Sequence, residues 1–183
     1  INDAMEVCNK NNLKHKLSFF YVELAILYAQ VGERNLSLSN LNMAETISLT
    51  FKDSLAYYKI KMARTAIFPQ GNVIQEYENI VKFYTKFGDD YINAIITCNF
   101  NIGLHFIETK EYNSTEEIFN KIIETAVRLD KKVPMCNAYS CLAELYYIRK
   151  IFPKSIIYFE KSNEVGVLID DIEVLSKNYN FLA

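Results

Sequence analysis

Residues 142–162 read LAELYYIRKIFPKSIIYFEKS, and this stretch decides the fold. A small residue, Ala143, follows a leucine, and an aromatic residue, Tyr146, comes three positions later. Apolar residues then recur every three or four positions on both sides of Pro153, a residue that a helix tolerates in its first turn. The pattern predicts two helices that pack back on each other, with the proline opening the second one.

The same arrangement recurs along the chain. The small residues Ala25, Ala63, Gly103 and Ala143 each stand late in the first helix of a pair, 38 and then 40 positions apart. A fixed period of this length is the signature of a stacked array. The predicted helix pairs span residues 16–50, 54–87, 90–130 and 134–168, with flanking helices at 1–11 and 171–182. We expect one continuous array that extends beyond both ends of the chain.

Turn and capping residues predict where several helices begin and end. Gly88 is expected to end the second helix of the second pair, and Asp89 or Asp90 to cap the helix that follows. Ser114 and Glu117 have the spacing of a capping box, which predicts the start of the next helix beside them.

Three of the four pairs resemble the tetratricopeptide repeat. The matching residues are Leu24, Ala25, Tyr28, Ser37, Leu41 and Ala44 in the first pair, Ile102, Gly103, Phe106, Thr115 and Phe119 in the third, and Leu142, Ala143, Tyr146, Ser155 and Phe159 in the fourth. The second pair departs from the pattern, because Gln75 and Asn79 stand where a small and a large apolar residue are expected. Its register is therefore open by a residue.

This resemblance implies an all-α fold, a right-handed α-α superhelix of the tetratricopeptide-like solenoid type. It would contain about four helix pairs and a partial helix at each end. The repeats are longer than the roughly 34 residues usual in that family. They resemble those in the sensor domains of bacterial transcriptional regulators, including the peptide-pheromone receptors.

Charge and hydropathy argue against two classes of partner. Twenty basic and 22 acidic residues leave a net charge of -2, and no basic block is present that could neutralise a run of phosphates. Direct binding of nucleic acid by this segment is therefore not expected. Apolar runs are a few residues long, far short of the ~20 that a membrane span needs, so no membrane partner is expected either.

Catalytic and metal-binding patterns are missing from the sequence. It contains two histidines and neither a phosphate-binding glycine loop nor a pair of carboxylates that stands out from the solvated faces. His105 and Glu108 share a helix face and could form half of a metal site, but His105 lies within a packing motif. We predict that the chain is not an enzyme and holds no cofactor and no metal.

The four cysteines, Cys8, Cys98, Cys136 and Cys141, lack the spacing of a zinc site or a redox motif. Buried free thiols are the simplest interpretation, because unpaired cysteine is among the most buried residue types. This usage favours a reducing compartment, and we predict a cytoplasmic location.

Residues on the first helices that do not serve packing are expected to line the concave side of such an array. The candidate ligand-binding residues of this groove are Asn101, Glu108, Asn137, Glu144, Tyr147, Lys61, Arg64 and Tyr57. Asn101 is the strongest candidate, because an amide can donate to and accept from a peptide backbone. Lys61 and Arg64 could meet a peptide carboxylate. A solvated groove without a ligand is the alternative interpretation.

The functional prediction is a protein- or peptide-binding repeat module, the sensory or scaffold part of a larger bacterial transcriptional regulator. The alternative is a structural or dimerisation array that works through its convex face or its ends, with a homodimer as the candidate assembly. Phe181 and Leu182, apolar residues at the end of the chain, motivate this alternative.

Overall fold

A computed structural model describes residues 2–11 and 13–182, and this part of the chain is helical without a β-strand. Its α-helices are α1 (Asn2–Lys10), α2 (Leu17–Gln30), α3 (Arg34–Thr50), α4 (Ser54–Ile67), α5 (Val73–Tyr84), α6 (Ile92–Glu108), α7 (Tyr112–Arg128), α8 (Lys132–Ile148), α9 (Phe152–Leu168) and α10 (Ile172–Leu182). Two 3₁₀ segments, Lys14–Lys16 and Thr85–Tyr91, precede α2 and α6. Ile1, which the prediction placed in the first helix, lies outside the described residues.

Packing divides the chain into two compact units, Ile1–Phe83 and Tyr84–Ala183. The buried core of the first unit consists of Val22, Ala25, Leu41, Ala44, Ile60 and Ala63 from α2, α3 and α4. The core of the second unit consists of Ile96, Phe119, Ile122, Ala138, Leu142 and Leu145 from α6, α7 and α8. The grouping of these helices into four repeats of one array stays a prediction.

The second unit has a regular helical period. Each of α6, α7, α8 and α9 contains 17 residues, and a turn of three residues follows each of them. The middle residue of each turn has a positive φ between 48° and 62°; these residues are Lys110, Asp130, Lys150 and Asp170. The third residue of each turn donates its N–H to the carbonyl five residues earlier. The Glu111 N–H, for example, donates to the Phe106 carbonyl at 2.8 Å. This is the Schellman motif, so every helix turns back on the next in the same way.

These turns replace the side-chain caps that the sequence suggested. The α7 helix begins at Tyr112 and not beside Ser114, and no side chain caps it, so the predicted capping box of Ser114 and Glu117 is wrong. The physical reason is that the Schellman turn at Lys110 reverses the chain, so that the next helix begins directly after it, at Tyr112.

The junction between α5 and α6 also differs from the prediction. The α5 helix ends at Tyr84, and a 3₁₀ segment runs on through Gly88, whose φ of 65° no helix can accommodate. Gly88 therefore breaks the helical path as expected, but the α-helix has already ended. No side chain caps α6, and Asp89 instead accepts from the Arg128 guanidinium at 3.2 Å.

Burial confirms most packing positions of the repeat motif, whereas Leu24, Tyr28 and Phe106 are only half-buried. In the first helices Ala25 and Ala143 are fully buried, and Gly103 is buried as well. In the second helices the fully or almost fully buried residues are Ser37, Leu41, Ala44, Thr115, Phe119, Ser155 and Phe159. Small residues at these places let paired helices approach closely.

The structure settles the register of α5. Gln75 and Asn79 are exposed, whereas Ile80 is completely buried. Ile80 is the eighth residue of its helix, the place that Leu41 holds in α3. The motif thus lies one residue later than it was read from the sequence. Glu76 takes the place of the small residue, and its carboxylate accepts from Lys61 at 3.3 Å.

Candidate functional site

A pocket of about 440 Å³ opens between α6 and α8 in the second unit. The residues that line it are Asn93, Ile96, Thr97, Phe100 and Asn101 from α6, and Val133, Pro134 and Asn137 from α8. Its volume falls in the range of roughly 300–1,000 Å³ that is usual for ligand sites. The pocket brings together Asn101 and Asn137, two of the predicted groove residues.

Helix α6 supplies a polar edge and an apolar floor. Asn93, Thr97 and Asn101 are four residues apart, so they form one stripe along the helix. Ile96 is 6% exposed, and the Phe100 ring packs edge-to-face on the buried Phe119 ring with centroids 5.3 Å apart. The floor is therefore continuous with the core of the unit and is held rigidly.

Helix α8 supplies the opposite wall. Pro134 stands in its first turn, where the missing N–H breaks no helical hydrogen bond. Asn137 is half-buried, and its neighbours in sequence, Cys136 and Ala138, are completely buried. These two anchors fix the rotation of α8 about its axis and hold Asn137 at the pocket.

Three carboxamides at this pocket have unused hydrogen-bonding capacity. Within the described part of the chain, the side chains of Asn93, Asn101 and Asn137 have no hydrogen-bond partner. The Thr97 hydroxyl, in contrast, donates to the Asn93 carbonyl at 2.9 Å. Each carboxamide offers two donors and one acceptor. Such a set beside an apolar floor can bind a polypeptide backbone while an apolar side chain enters the pocket.

The predicted cations lie in the first unit and are already paired. Lys61 Nζ is 3.3 Å from the Glu76 carboxylate, and Arg64 is 2.8 Å from Glu45. Arg64 also donates to the Asn42 side chain at 3.1 Å. A peptide carboxylate would have to displace Glu76 from Lys61 or Glu45 from Arg64. Binding of a peptide carboxylate by these two cations therefore stays a prediction.

Lys61 and Arg64 share a separate pocket of about 290 Å³. Its other lining residues are Leu38, Thr65, Phe68, Gln70 and Glu76. Tyr57, one turn earlier on α4, packs edge-to-face on Tyr58 with centroids 5.8 Å apart. The Lys61 ammonium also lies 5.8 Å from the centre of the Tyr57 ring.

The remaining predicted residues lie apart from the pocket between α6 and α8. Glu144 forms an ion pair with Lys177 of α10 at 2.6 Å. The Tyr147 ring packs edge-to-face on the Phe181 ring, with centroids 5.2 Å apart. Tyr147 also lines an aromatic pocket of about 250 Å³ beside α9 and α10. Glu108 is exposed in the last turn of α6.

Sequence reasoning missed the importance of Asn93 and of the apolar floor around Phe100. The spacing of four from Asn101 through Thr97 to Asn93 was a usable signal, because it predicts one helical stripe. Val133 and Pro134 line the pocket only because α8 packs beside α6, and the local sequence pattern does not predict that packing.

All four cysteines are free thiols. Cys8, Cys98 and Cys136 are buried, and Cys141 is partly buried, which confirms their structural character. Burial raises the pKa of Cys98 to about 12. Burial, together with the neighbouring Glu144 carboxylate, raises the pKa of Cys141 to about 12 as well. Both thiols therefore stay protonated near neutral pH, and the thiolate is the nucleophilic form of cysteine.

Over residues 2–11 and 13–182, no three His, Cys, Asp or Glu side chains are grouped so that they could hold a metal ion. In the same part of the chain, no helix combines the length and the apolar character that crossing a membrane requires.

Comparison with solved structures supports the fold class. A crystal structure of BtubC (BKLC) from P. vanneervenii superimposes with a TM-score of 0.70 over 90% of this chain and 68% of that one, at 17% sequence identity. The fold is all-α and tetratricopeptide-like.

In sequence, the chain is similar to regulatory protein RapD of Bacillus subtilis (strain 168), with 26% identity over 121 residues. This match covers 66% of the chain and 32% of RapD, so it spans about a third of that protein. No protein-family model matches the chain.

Proposed function

We propose that this chain is a peptide- or protein-binding repeat module, the sensory or scaffold part of a larger bacterial transcriptional regulator. The observation that carries the proposal is the pocket between α6 and α8, where Asn93, Asn101 and Asn137 offer unused amides around an apolar floor. Similarity to a Bacillus protein named as regulatory supports the regulatory part. The module would act in the cytoplasm, by binding and without catalysis.

The test begins with capture of peptides from bacterial lysate on the immobilised chain. Captured peptides are identified by mass spectrometry and synthesised, and their dissociation constants are measured by calorimetry. We expect Asn101→Ala to weaken binding roughly three- to tenfold, because it removes a hydrogen-bonding group at the pocket. Asn99→Ala is the matched control, since Asn99 lies on the same helix but outside the pocket. Equal affinities of both variants would refute the assignment.

The alternative, a structural or dimerisation array, draws on apolar residues exposed on α10. Ile172 is 78% exposed, Tyr179 58% and Phe181 37%. The side chain of Leu182, the other residue that motivates this alternative, lies outside the described residues. Under this alternative the chain sediments as a dimer that Ile172→Asp dissociates. A monomer at all concentrations would exclude self-association.

A further inference from the structure

The polar stripe of α6 matches the repeat of an extended peptide. Residues four apart on a helix are separated by about 6 Å along its axis, and every second residue of an extended chain by about 6.6 Å. A peptide lying along α6 therefore meets Asn93, Thr97 and Asn101 at alternate backbone positions. The stripe from Asn93 to Asn101 is about 12 Å long, so three alternate positions of an extended segment of about five residues match it.

The floor and the walls determine which side chain can enter the pocket. Ile96 and Phe100 form the floor, and Val133 and Pro134 add apolar wall from α8. Among the described residues that line the pocket, none carries a charge. A charged side chain that lost its water here would find no counter-charge, which is costly, whereas an apolar side chain gains by burial.

We propose that this pocket selects an uncharged, apolar segment of about five extended residues, with a side chain the size of Leu, Ile, Met or Phe on the floor. This inference rests on the proposed function and names the class of ligand for that site. The amides of Asn93, Asn101 and Asn137 hold the backbone, and the floor of Ile96 and Phe100 determines the selectivity.

A displayed library of random short peptides, selected on the purified 183-residue chain, tests this specificity. Thr97 lies in the middle of the stripe and is exposed, so charged residues can replace it without disturbing the core. Thr97→Lys and Thr97→Glu form a matched pair of opposite charge. We expect the wild type to enrich an apolar residue at one position, Thr97→Lys to shift that position towards Asp or Glu, and Thr97→Glu to shift it towards Lys or Arg.

The outcomes separate this inference from the proposed function. Enriched peptides that bind Asn101→Ala at least about threefold more weakly than the wild type support peptide binding at this pocket. If such peptides carry a charged residue at the selected position, or if both Thr97 variants enrich the wild-type motif unchanged, the inference of apolar selectivity is wrong. If no peptide is enriched on the wild type over Asn101→Ala, the proposed function itself fails.

Discussion

Gly103 shows how tightly paired helices approach each other in the second unit. A Cβ atom at this position would lie 2.8 Å from Cζ of the Phe119 ring and 3.0 Å from Cγ2 of Ile118. Phe119 is completely buried, so its ring cannot move aside without disturbing the core. The glycine is there for close approach and not for its backbone freedom, since it lies inside α6.

Two opposing effects act on Gly103→Ala. Alanine favours a helix by about 1 kcal/mol over glycine, whereas overpacking a core costs about 1–3 kcal/mol. We expect a net loss of stability of about 1 kcal/mol in the wild-type background. In a Phe119→Leu background the ring is gone, and the same substitution should become stabilising. Urea unfolding of the four proteins of this double-mutant cycle measures the coupling, and additive effects would show that the contact is not strained.

Among the helices, the repeated turn is the feature that sequence reasoning did not predict. Lysine and aspartate hold the left-handed position at Lys110, Asp130, Lys150 and Asp170, where glycine or asparagine is the usual signal. The left-handed conformation disfavours residues with a Cβ by about 1–2 kcal/mol. The turn is therefore maintained by the packing of the helices on both sides of it.

Lys150→Gly should stabilise the protein. Glycine avoids the left-handed penalty but loses more backbone entropy on folding, so the expected gain is about 0.5–1 kcal/mol. Lys121→Gly is the matched control, because Lys121 is exposed in the interior of α7, where glycine costs about 1 kcal/mol. Thermal unfolding of both variants should show changes of opposite sign, and destabilisation by Lys150→Gly would contradict the analysis of the turn.

For the molecule as a whole, the buried thiols predict a stability that declines in alkaline solution. The pKa of Cys98 rises from 9.0 to about 12 on burial, so the folded state retains a proton that the unfolded state loses. Its contribution is fully present below pH 9 and is lost as pH rises from about 9 towards about 12. Within this window each such thiol lowers the free energy of unfolding by about 1.4 kcal/mol per pH unit.

Cys98→Ala isolates one of these thiols. The variant leaves a small cavity and should be less stable at neutral pH, but that offset does not depend on pH. We expect its stability to fall less steeply than that of the wild type between pH 9 and 10.5, by about 1.4 kcal/mol per pH unit. Urea unfolding at a series of pH values, with reductant present, gives both slopes. Parallel slopes would mean that the Cys98 thiol ionises equally in the folded and unfolded states.

The sequence by itself determined the helices and their packing positions. The positions of the small Ala25 and Ala143 and of the large Phe119 and Phe159 follow from the recurrence of buried residues every three or four positions, which holds in any amphipathic helix. The same periodicity placed Asn101 on the face of its helix that is not used for packing. In α5 the pattern was weak, because Glu76 occupies the small position, and the register was therefore read one residue too early.

Only the tertiary structure decided which polar residues meet. Asn101 and Asn137 share a pocket because α6 and α8 lie side by side, whereas Arg64 is engaged by Glu45 across two helices. Asn178, an ordinary polar residue in the sequence of α10, is completely buried and donates to the Ser162 hydroxyl and the Asn163 side chain, each at 2.9 Å. Side-chain partners of this kind depend on the rotation and spacing of helices far apart in the chain, which local periodicity does not encode.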